Sequence, residues 1–142
     1  MLIFRIKLSP CGGYNDSYFT SSESLLETYK HYITQLDAMN IAWMQITQYN
    51  AYGDAKLEGV PQGYDHDVVA VYGPLVKNSN FLANCGYTAE TGEEELKNKE
   101  RNVKGMVYGS AWIANPDLYR RFQERLELSQ PDHTVSQGKE FG

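Results

Sequence analysis

The chain has 142 residues, 42% of them apolar, and a formal net charge of −5 at pH 7. That length suits one domain with a real hydrophobic core, and the acidic balance argues against a general nucleic-acid binder, which carries a basic face. No apolar run approaches the ~20 residues that a helix needs to cross a bilayer, so no membrane partner is expected.

Met1-Leu2-Ile3-Phe4-Arg5 runs straight into a strand pattern, which reads as no signal or transit peptide. Cys11 and Cys85 make neither a disulfide framework nor a zinc spacing. A reducing, cytoplasmic compartment is therefore the expectation. Eleven tyrosines are many for this length, and half-buried rings with polar tips are the ordinary explanation.

Leu2–Leu8 alternates as a strand, with Leu2, Phe4, Ile6 and Leu8 on one face and Ile3, Arg5 and Lys7 on the other. Two cations on one face suit either a solvated edge strand or a Lys7 aimed from the strand's end at an anionic ligand. Ser9-Pro10-Cys11-Gly12-Gly13 breaks the pattern. Thr20 before Ser21, Ser22 and Glu23 reads as a capping box. Leu25, Tyr29, Tyr32, Ile33 and Leu36 then predict an amphipathic helix over 20–39, with His31 on its solvent side. Ile41–Thr47, nearly all apolar, reads as a strand covered on both faces. The stretch from Gln48-Tyr49 to Gly63 is long and rich in Gly, Tyr and Asp, and serves equally well as a lid or binding loop or as a surface insertion.

Asp65 or Asp67 can cap the next helix, which carries Val68, Val69, Val71, Tyr72, Leu75 and Val76 and is broken or made irregular by Pro74. Asp65-His66-Asp67 is read as helix-start polarity rather than a metal cluster, since consecutive side chains diverge; no metal site is expected. Asn80–Asn84 is a third strand, and Thr88 caps a helix whose Glu93-Glu94-Glu95 precede Lys97, the order that suits the helix dipole. Val103–Tyr108 is a fourth strand. Asn115-Pro116-Asp117 gives an N-cap, a proline at the first helical position and an acid in the first turn. The last helix turns Leu118, Phe122 and Leu126 inward. From Ser129 the chain is polar and expected to be loosely ordered.

The result is four strand–helix units, which predict an α/β fold with a parallel sheet. Neither Gly-x-Gly-x-x-Gly nor a Walker loop is present. Two strands in succession instead end in small residues that lead into helix starts, at Asn84-Cys85-Gly86-Tyr87-Thr88 and at Gly109-Ser110. Unpaired backbone N–H groups at such turns suit a phosphate, and barrels often hold one after their seventh and eighth strands.

These residues resemble the Old Yellow Enzyme family, the FMN-dependent NAD(P)H oxidoreductases and ene-reductases, over the carboxyl-terminal half of the family's barrel. Lys7-Leu8-Ser9-Pro10 resembles its Arg-Leu-Ser-Pro strand end, and Ile41–Thr47 its next strand, with Gln48-Tyr49 in place of a closing Glu-Pro. Asn84-Cys85-Gly86-Tyr87-Thr88 resembles its Gly-Gly-Tyr-Thr turn. Gly109-Ser110 followed by Ile113-Ala114-Asn115-Pro116-Asp117-Leu118 resembles its Gly-Arg-x-x-Ile-Ala-Asn-Pro-Asp-Leu signature.

The resemblance implies a partial TIM (β/α)8 barrel, a half barrel of four consecutive parallel strand–helix units over residues 1–128, with a polar tail over 129–142. It implies FMN with its phosphate on Cys85, Gly86, Gly109 and Ser110 and with Lys7 beside the flavin, NAD(P)H as reductant, and an activated alkene or enone as substrate. It assigns no catalytic residue here: the family's substrate-binding histidine–asparagine (or histidine–histidine) pair and its proton-donating tyrosine belong to the other half, and His31, His66 and His133 do not fall at matching positions.

Lys7 and Ser110 each stand where the family has arginine, and Cys85 where it usually has glycine. Four strands leave two open edges, so the implied partner is a complementary half barrel or a second copy. The alternative is a non-catalytic remnant that binds FMN or phosphate, or only pairs with a partner.

Overall fold

The computed structural model describes residues 4–13, 18–51, 54 and 56–132. The chain divides into two compact units, Met1–Val107 and Tyr108–Gly142. In the first unit β1 (Arg5–Leu8) is followed by α1 (Ser22–Ala38) and β2 (Trp43–Thr47). A small antiparallel hairpin comes next, β3 (Lys56–Leu57) and β4 (Val60–Pro61). α2 (Val68–Tyr72) then continues into a 3-10 turn at Gly73–Leu75. β5 (Asn80–Asn84), α3 (Ala89–Lys97), a second 3-10 turn at Lys99–Arg101 and β6 (Val103–Val107) complete the unit.

The four long strands are all parallel and lie in the order β1-β2-β5-β6. This is the parallel sheet that the alternation predicts, in the consecutive order expected of the partial barrel that the resemblance implies. The register pairs Met44 with Ile6 and Phe81, and Ile46 with Leu8 and Ala83. Those side chains share the face that packs on the helices, and Met44, Ile46, Phe81 and Ala83 are fully buried there with Ile33, Val68, Val69, Tyr72 and Val76. Each large apolar side chain so buried contributes about 1.5–3 kcal/mol. By alternation the other face carries Arg5, Lys7, Trp43, Gln45, Thr47, Leu82, Asn84, Gly105 and Val107. Gly105 leaves room for Leu82, whose Cδ2 would stand 2.9 Å from a Cβ there and would have to shift.

One buried carboxylate fixes how α1 meets β5. Asp37, 4% exposed near the end of α1, accepts the backbone N–H groups of Lys77 (2.9 Å), Asn78 (3.0 Å) and Ser79 (2.8 Å), and the Asn78 side-chain amide at 3.0 Å. These residues lead directly into β5. Burial pushes the Asp37 carboxyl up, but the three backbone donors outweigh it and hold the group below its ordinary value.

The second unit contains α4 (Ser110–Ala114) and α5 (Leu118–Glu124). Asn115, 1% exposed, joins them to the following segment: its amide donates to the carbonyls of Ala111 and Ser129, both at 3.0 Å, and its Oδ1 accepts the Ser129 N–H at 2.8 Å. Tyr108 meets Phe122 edge-on, with ring centroids 4.9 Å apart.

Several local expectations are corrected. β1 begins at Arg5, with Leu2 and Ile3 outside the described residues, and Phe4 is 55% exposed. β2 begins at Trp43 rather than Ile41, and β6 ends at Val107. The cap of α1 is Ser21 rather than Thr20, its hydroxyl accepting the Ser24 N–H at 3.2 Å. Tyr32 is 46% exposed, because the packed stripe of α1 turns through Leu25, Ile33 and Asp37 instead.

The Gln48–Gly63 stretch contains the β3–β4 hairpin. α5 starts at Leu118, since Asn115 is occupied with closing α4 and bonding Ser129; of the predicted inward residues Leu118 is buried, whereas Leu126 is 43% exposed. Asp67 does cap α2, accepting the N–H groups of Val69 (3.1 Å) and Ala70 (2.9 Å), and Thr88 does cap α3.

Asp37→Ala leaves the buried Ser79 N–H and the part-buried N–H groups of Lys77 and Asn78 without their acceptor and is expected to cost about 2–4 kcal/mol in urea unfolding. Because the folded pKa is depressed, the native carboxylate contributes its full stabilisation above the ordinary carboxyl value of 3.8, and that contribution is lost as pH falls through the lower folded value. Asp37→Asn is expected to be destabilised at neutral pH and to show a flatter acid limb than the native chain in the same titration.

Candidate functional site

The carboxyl ends of parallel strands are where such sheets hold ligands. A cavity of about 310 Å³ opens there in the first unit, lined among others by Lys7 at the end of β1, Ser9, Thr47, Gln48, Asn50 and Asp54. Lys7 is exposed and forms no ion pair among the described residues. The lining thus offers one ammonium, two hydroxyls, two carboxamides and one carboxylate.

The segment after β2 forms the cavity's wall and is locked at its base. Tyr49 donates its hydroxyl to Asp54 Oδ2 at 2.7 Å, and the Gly63 N–H donates to Asp54 Oδ1 at 2.9 Å. The Tyr64 N–H donates to the Cys11 carbonyl at 2.8 Å. Donation to the Asp54 carboxylate, with some burial, pushes the Tyr49 hydroxyl up to about 12. Gly13, at φ +81°, passes so close that a Cβ would stand 1.9 Å from Asp54 Oδ1 and 2.8 Å from the Gly63 nitrogen. The glycine pair after β1, legible only as a pattern break, is therefore part of the joint between two loops.

At Cys11, which also lines the cavity, there is a contact with His66 that sequence reasoning missed. His66 Nδ1 is 3.0 Å from the Tyr64 carbonyl and 3.9 Å from Cys11 Sγ, and Nε2 is 3.1 Å from the Tyr72 hydroxyl. A carbonyl only accepts, so Nδ1 carries the proton and Nε2 accepts from Tyr72. Burial pushes the Cys11 thiol up to about 11, so it stays protonated at neutral pH and this Cys–His contact makes no nucleophile. Among the described residues there is no group of three or more side chains able to hold a metal ion.

Of the sequence-predicted residues, the first unit holds Lys7, Cys85 and Gly86. Cys85 and Gly86 follow β5 in consecutive left-handed conformations, φ +75° and +77°. The geometry is that of a Gly-Gly turn, and a side chain at Cys85 strains it by roughly 1–2 kcal/mol. Burial raises the Cys85 thiol, while the Lys7 charge and the Gly86 N–H pull it down, so Lys7 and Cys85 share one electrostatic environment. A Cβ on Gly86 would meet only Gln48 Oε1, at 3.7 Å. Gln48 also donates to the Tyr87 hydroxyl, which ties the wall after β2 to the turn after β5.

Gly109 and Ser110 belong to the second unit. Both are exposed, and space around Gly109 is open, since a Cβ there would meet nothing within 4 Å. The Gly109 carbonyl accepts the N–H groups of Trp112 (3.0 Å) and Ile113 (3.2 Å), and Ser110 begins α4.

No protein-family model matches the chain. The NADP-dependent oxidoreductase lnbE of Aspergillus flavus is 26% identical over 140 residues, covering 89% of this chain and 34% of that relative. The Old Yellow Enzyme homologue of Zymomonas mobilis superposes with a TM-score of 0.73 at 20% identity, over 92% of this chain and 34% of that one. The Old Yellow Enzyme of Trypanosoma cruzi gives 0.71 at 21%, over 92% and 31%, and morphinone reductase in complex with tetrahydroNAD gives 0.68 at 20%, over 95% and 32%. The chain spans about a third of the length of the proteins it matches. Its fold is that of part of an Old Yellow Enzyme barrel, and the resemblance carried by the sequence motifs holds in three dimensions.

Gly13→Ala is expected to unseat the Asp54 joint and cost about 2–3 kcal/mol in equilibrium unfolding, since it combines a positive φ with a backbone-level clash. Gly59→Ala, also at positive φ but with nothing within 4 Å, is the control and is expected to lose about 1 kcal/mol.

Proposed function

We propose that the chain is the carboxyl-terminal part of an FMN-dependent oxidoreductase of the Old Yellow Enzyme type. The observation that carries this reading is the cavity at the strand ends, with Lys7 on its wall, free of ion pairs among the described residues, and the left-handed Cys85–Gly86 turn within reach of that lysine's charge. The donor set suits a flavin: amides and hydroxyls for a polar heteroaromatic edge, an ammonium for negative charge on it, and glycine backbone where a phosphate must come close. Lys7 would stand by the isoalloxazine and the Cys85–Gly86 turn of the first unit would take the phosphate; Gly109 and Ser110 are the second unit's own candidates for a phosphate. When bound, FMN would carry hydride from NAD(P)H to the β-carbon of an activated alkene or enone.

This chain's own contribution is binding and charge. Lys7 keeps the positive charge of the family's arginine but not the planar fork that grips two oxygens. Ser110 offers a hydroxyl without charge, a difference of about 1.5–3 kcal/mol in one hydrogen bond. The Cys85 side chain narrows the approach to the turn. None of these residues handles the substrate's proton or carbonyl, so turnover would require the remainder of the barrel. The alternative reading, an FMN-binding or pairing module without catalysis, is favoured by that same lack.

Titrating FMN with the purified chain and following flavin fluorescence tests the reading. Saturable quenching is expected, weakened at least about tenfold in Lys7→Met and tightened about ten- to a hundredfold in Ser110→Arg. No quenching at high protein would remove the flavin site. With FMN and NADPH the chain alone is expected to reduce cyclohexenone no faster than free flavin does, and a rate above that background would remove the need for the rest of the barrel.

A further inference from the structure

The cavity wall at the end of β2 has a hydrogen-bonding polarity that its own bonds fix. The Val107 carbonyl can only accept, so the end of the Asn84 side chain that meets it at 2.6 Å is Nδ2. Asn84 Oδ1 then faces Thr47 Oγ1 at 3.3 Å and takes the one proton that this hydroxyl has. Thr47, which lines the cavity, keeps only lone pairs for a ligand.

A second series of bonds orients Gln48. Arg101 donates to Asp67 Oδ1 at 2.7 Å and to Glu95 Oε1. The other oxygen of Glu95 lies 3.3 Å from the Tyr87 hydroxyl. A carboxylate paired with an arginine accepts, so Tyr87 donates to Glu95 and has no second proton to give. Burial and the Glu95 charge push the Tyr87 hydroxyl up to about 12, so it holds that proton at neutral pH. Towards Gln48 it can only accept, and Gln48 must turn Nε2 to it. The other end of the amide, Oε1, lies by the turn after β5, 3.7 Å from where a Gly86 Cβ would stand. A glutamate here, as in the Glu-Pro that Gln48-Tyr49 replaces, would compete with Glu95 for the single Tyr87 proton. Asp54 adds a carboxylate to the same cavity, and Lys7 supplies positive charge.

We propose that Thr47 and Gln48 determine which ligand the cavity takes: their hydrogens are committed to Asn84 and Tyr87, so they present acceptors and select a hydroxylated chain whose anionic group is drawn to Lys7. Tyr87 and Glu95 are positioning residues, since they set which end of the Gln48 amide faces the Cys85–Gly86 turn. The inference rests on the cavity being the binding site of the proposed function, and it names the ligand chemistry that this wall reads. A bare anion finds acceptors at Thr47, Gln48 and Asp54 and is repelled there, whereas a polyol brings a hydrogen to each.

NMR of the full, isotope-labelled chain, titrated with ribitol phosphate (esterified at its terminal hydroxyl) and separately with inorganic phosphate, reads this without flavin. Ribitol phosphate is expected to bind at least about tenfold tighter, through several hydrogen bonds to the wall. Thr47→Val and Gln48→Met are each expected to lower that ratio about three- to tenfold, and Thr47→Ser, which keeps the hydroxyl, to retain it. Tyr87→Phe lets the Gln48 amide turn over. It is expected to lower the ratio as Gln48→Met does and to shift the Gln48 side-chain amide signals.

A native ratio near one would overturn the proposal, as would absence of ribitol phosphate binding or a ratio that neither Thr47→Val nor Gln48→Met changes. The native ratio needs no variant, so the test holds even where a variant fails to fold by circular dichroism. Ribitol phosphate selectivity without FMN quenching would leave the acceptor wall standing and remove the flavin reading. Quenching without that selectivity would overturn this inference alone.

Discussion

A parallel sheet has to be covered on both faces, because its crossover helices and its hydrophobic strands leave no side suited to water. Everything in the first unit answers to that constraint. One face is covered: Met44, Ile46, Phe81 and Ala83 are sealed under α1 and α2, and Asp37 ties the end of α1 to the entrance of β5. The opposite face is of another kind. It carries Arg5, Lys7, Gln45, Thr47 and Asn84, side chains that belong against a polar interior or a ligand rather than a dry core.

The same division explains where binding chemistry gathers. Strand ends leave backbone groups unpaired, and the loops that follow β1, β2 and β5 are fastened to one another there. The Cys11 carbonyl, Asp54, Gly63 and the Gln48–Tyr87 contact form a chain of bonds around the cavity. Such cross-bracing matters for a site built on loops, whose polar groups are useful only if held still. Lys7 stands where the open face of the sheet reaches this braced rim. Its charge is therefore available both to a ligand in the cavity and to whatever completes the barrel.

Sequence alone was enough for the parallel strand–helix alternation and for the caps at Asp67 and Thr88, because each depends on local spacing or a local turn. It was not enough for features created by distant partners. Asp37 looks like one more acid on a helix until residues 77–79 arrive forty positions later. His66 looks like helix-start polarity beside Asp67, yet packs inward on Tyr72, 5.6 Å between ring centroids. The signature Asn115-Pro116-Asp117 suggests a helix cap, but Asn115 spends its side chain on Ser129, and the helix waits until Leu118. The β3–β4 hairpin has only two residues per strand, too few for periodicity to reveal.

The central claim is that this chain is an open portion of a larger ring, with β2 and β5 inside the sheet and β1 and β6 at its rims. Native-state hydrogen exchange resolved to single amides tests it most directly. The account predicts strong protection throughout β2 and β5, and rapid exchange for those amides of β1 and β6 that point away from their single neighbour. Equal protection on all four strands in a monomer would contradict it, for the edges would then already be closed within one chain.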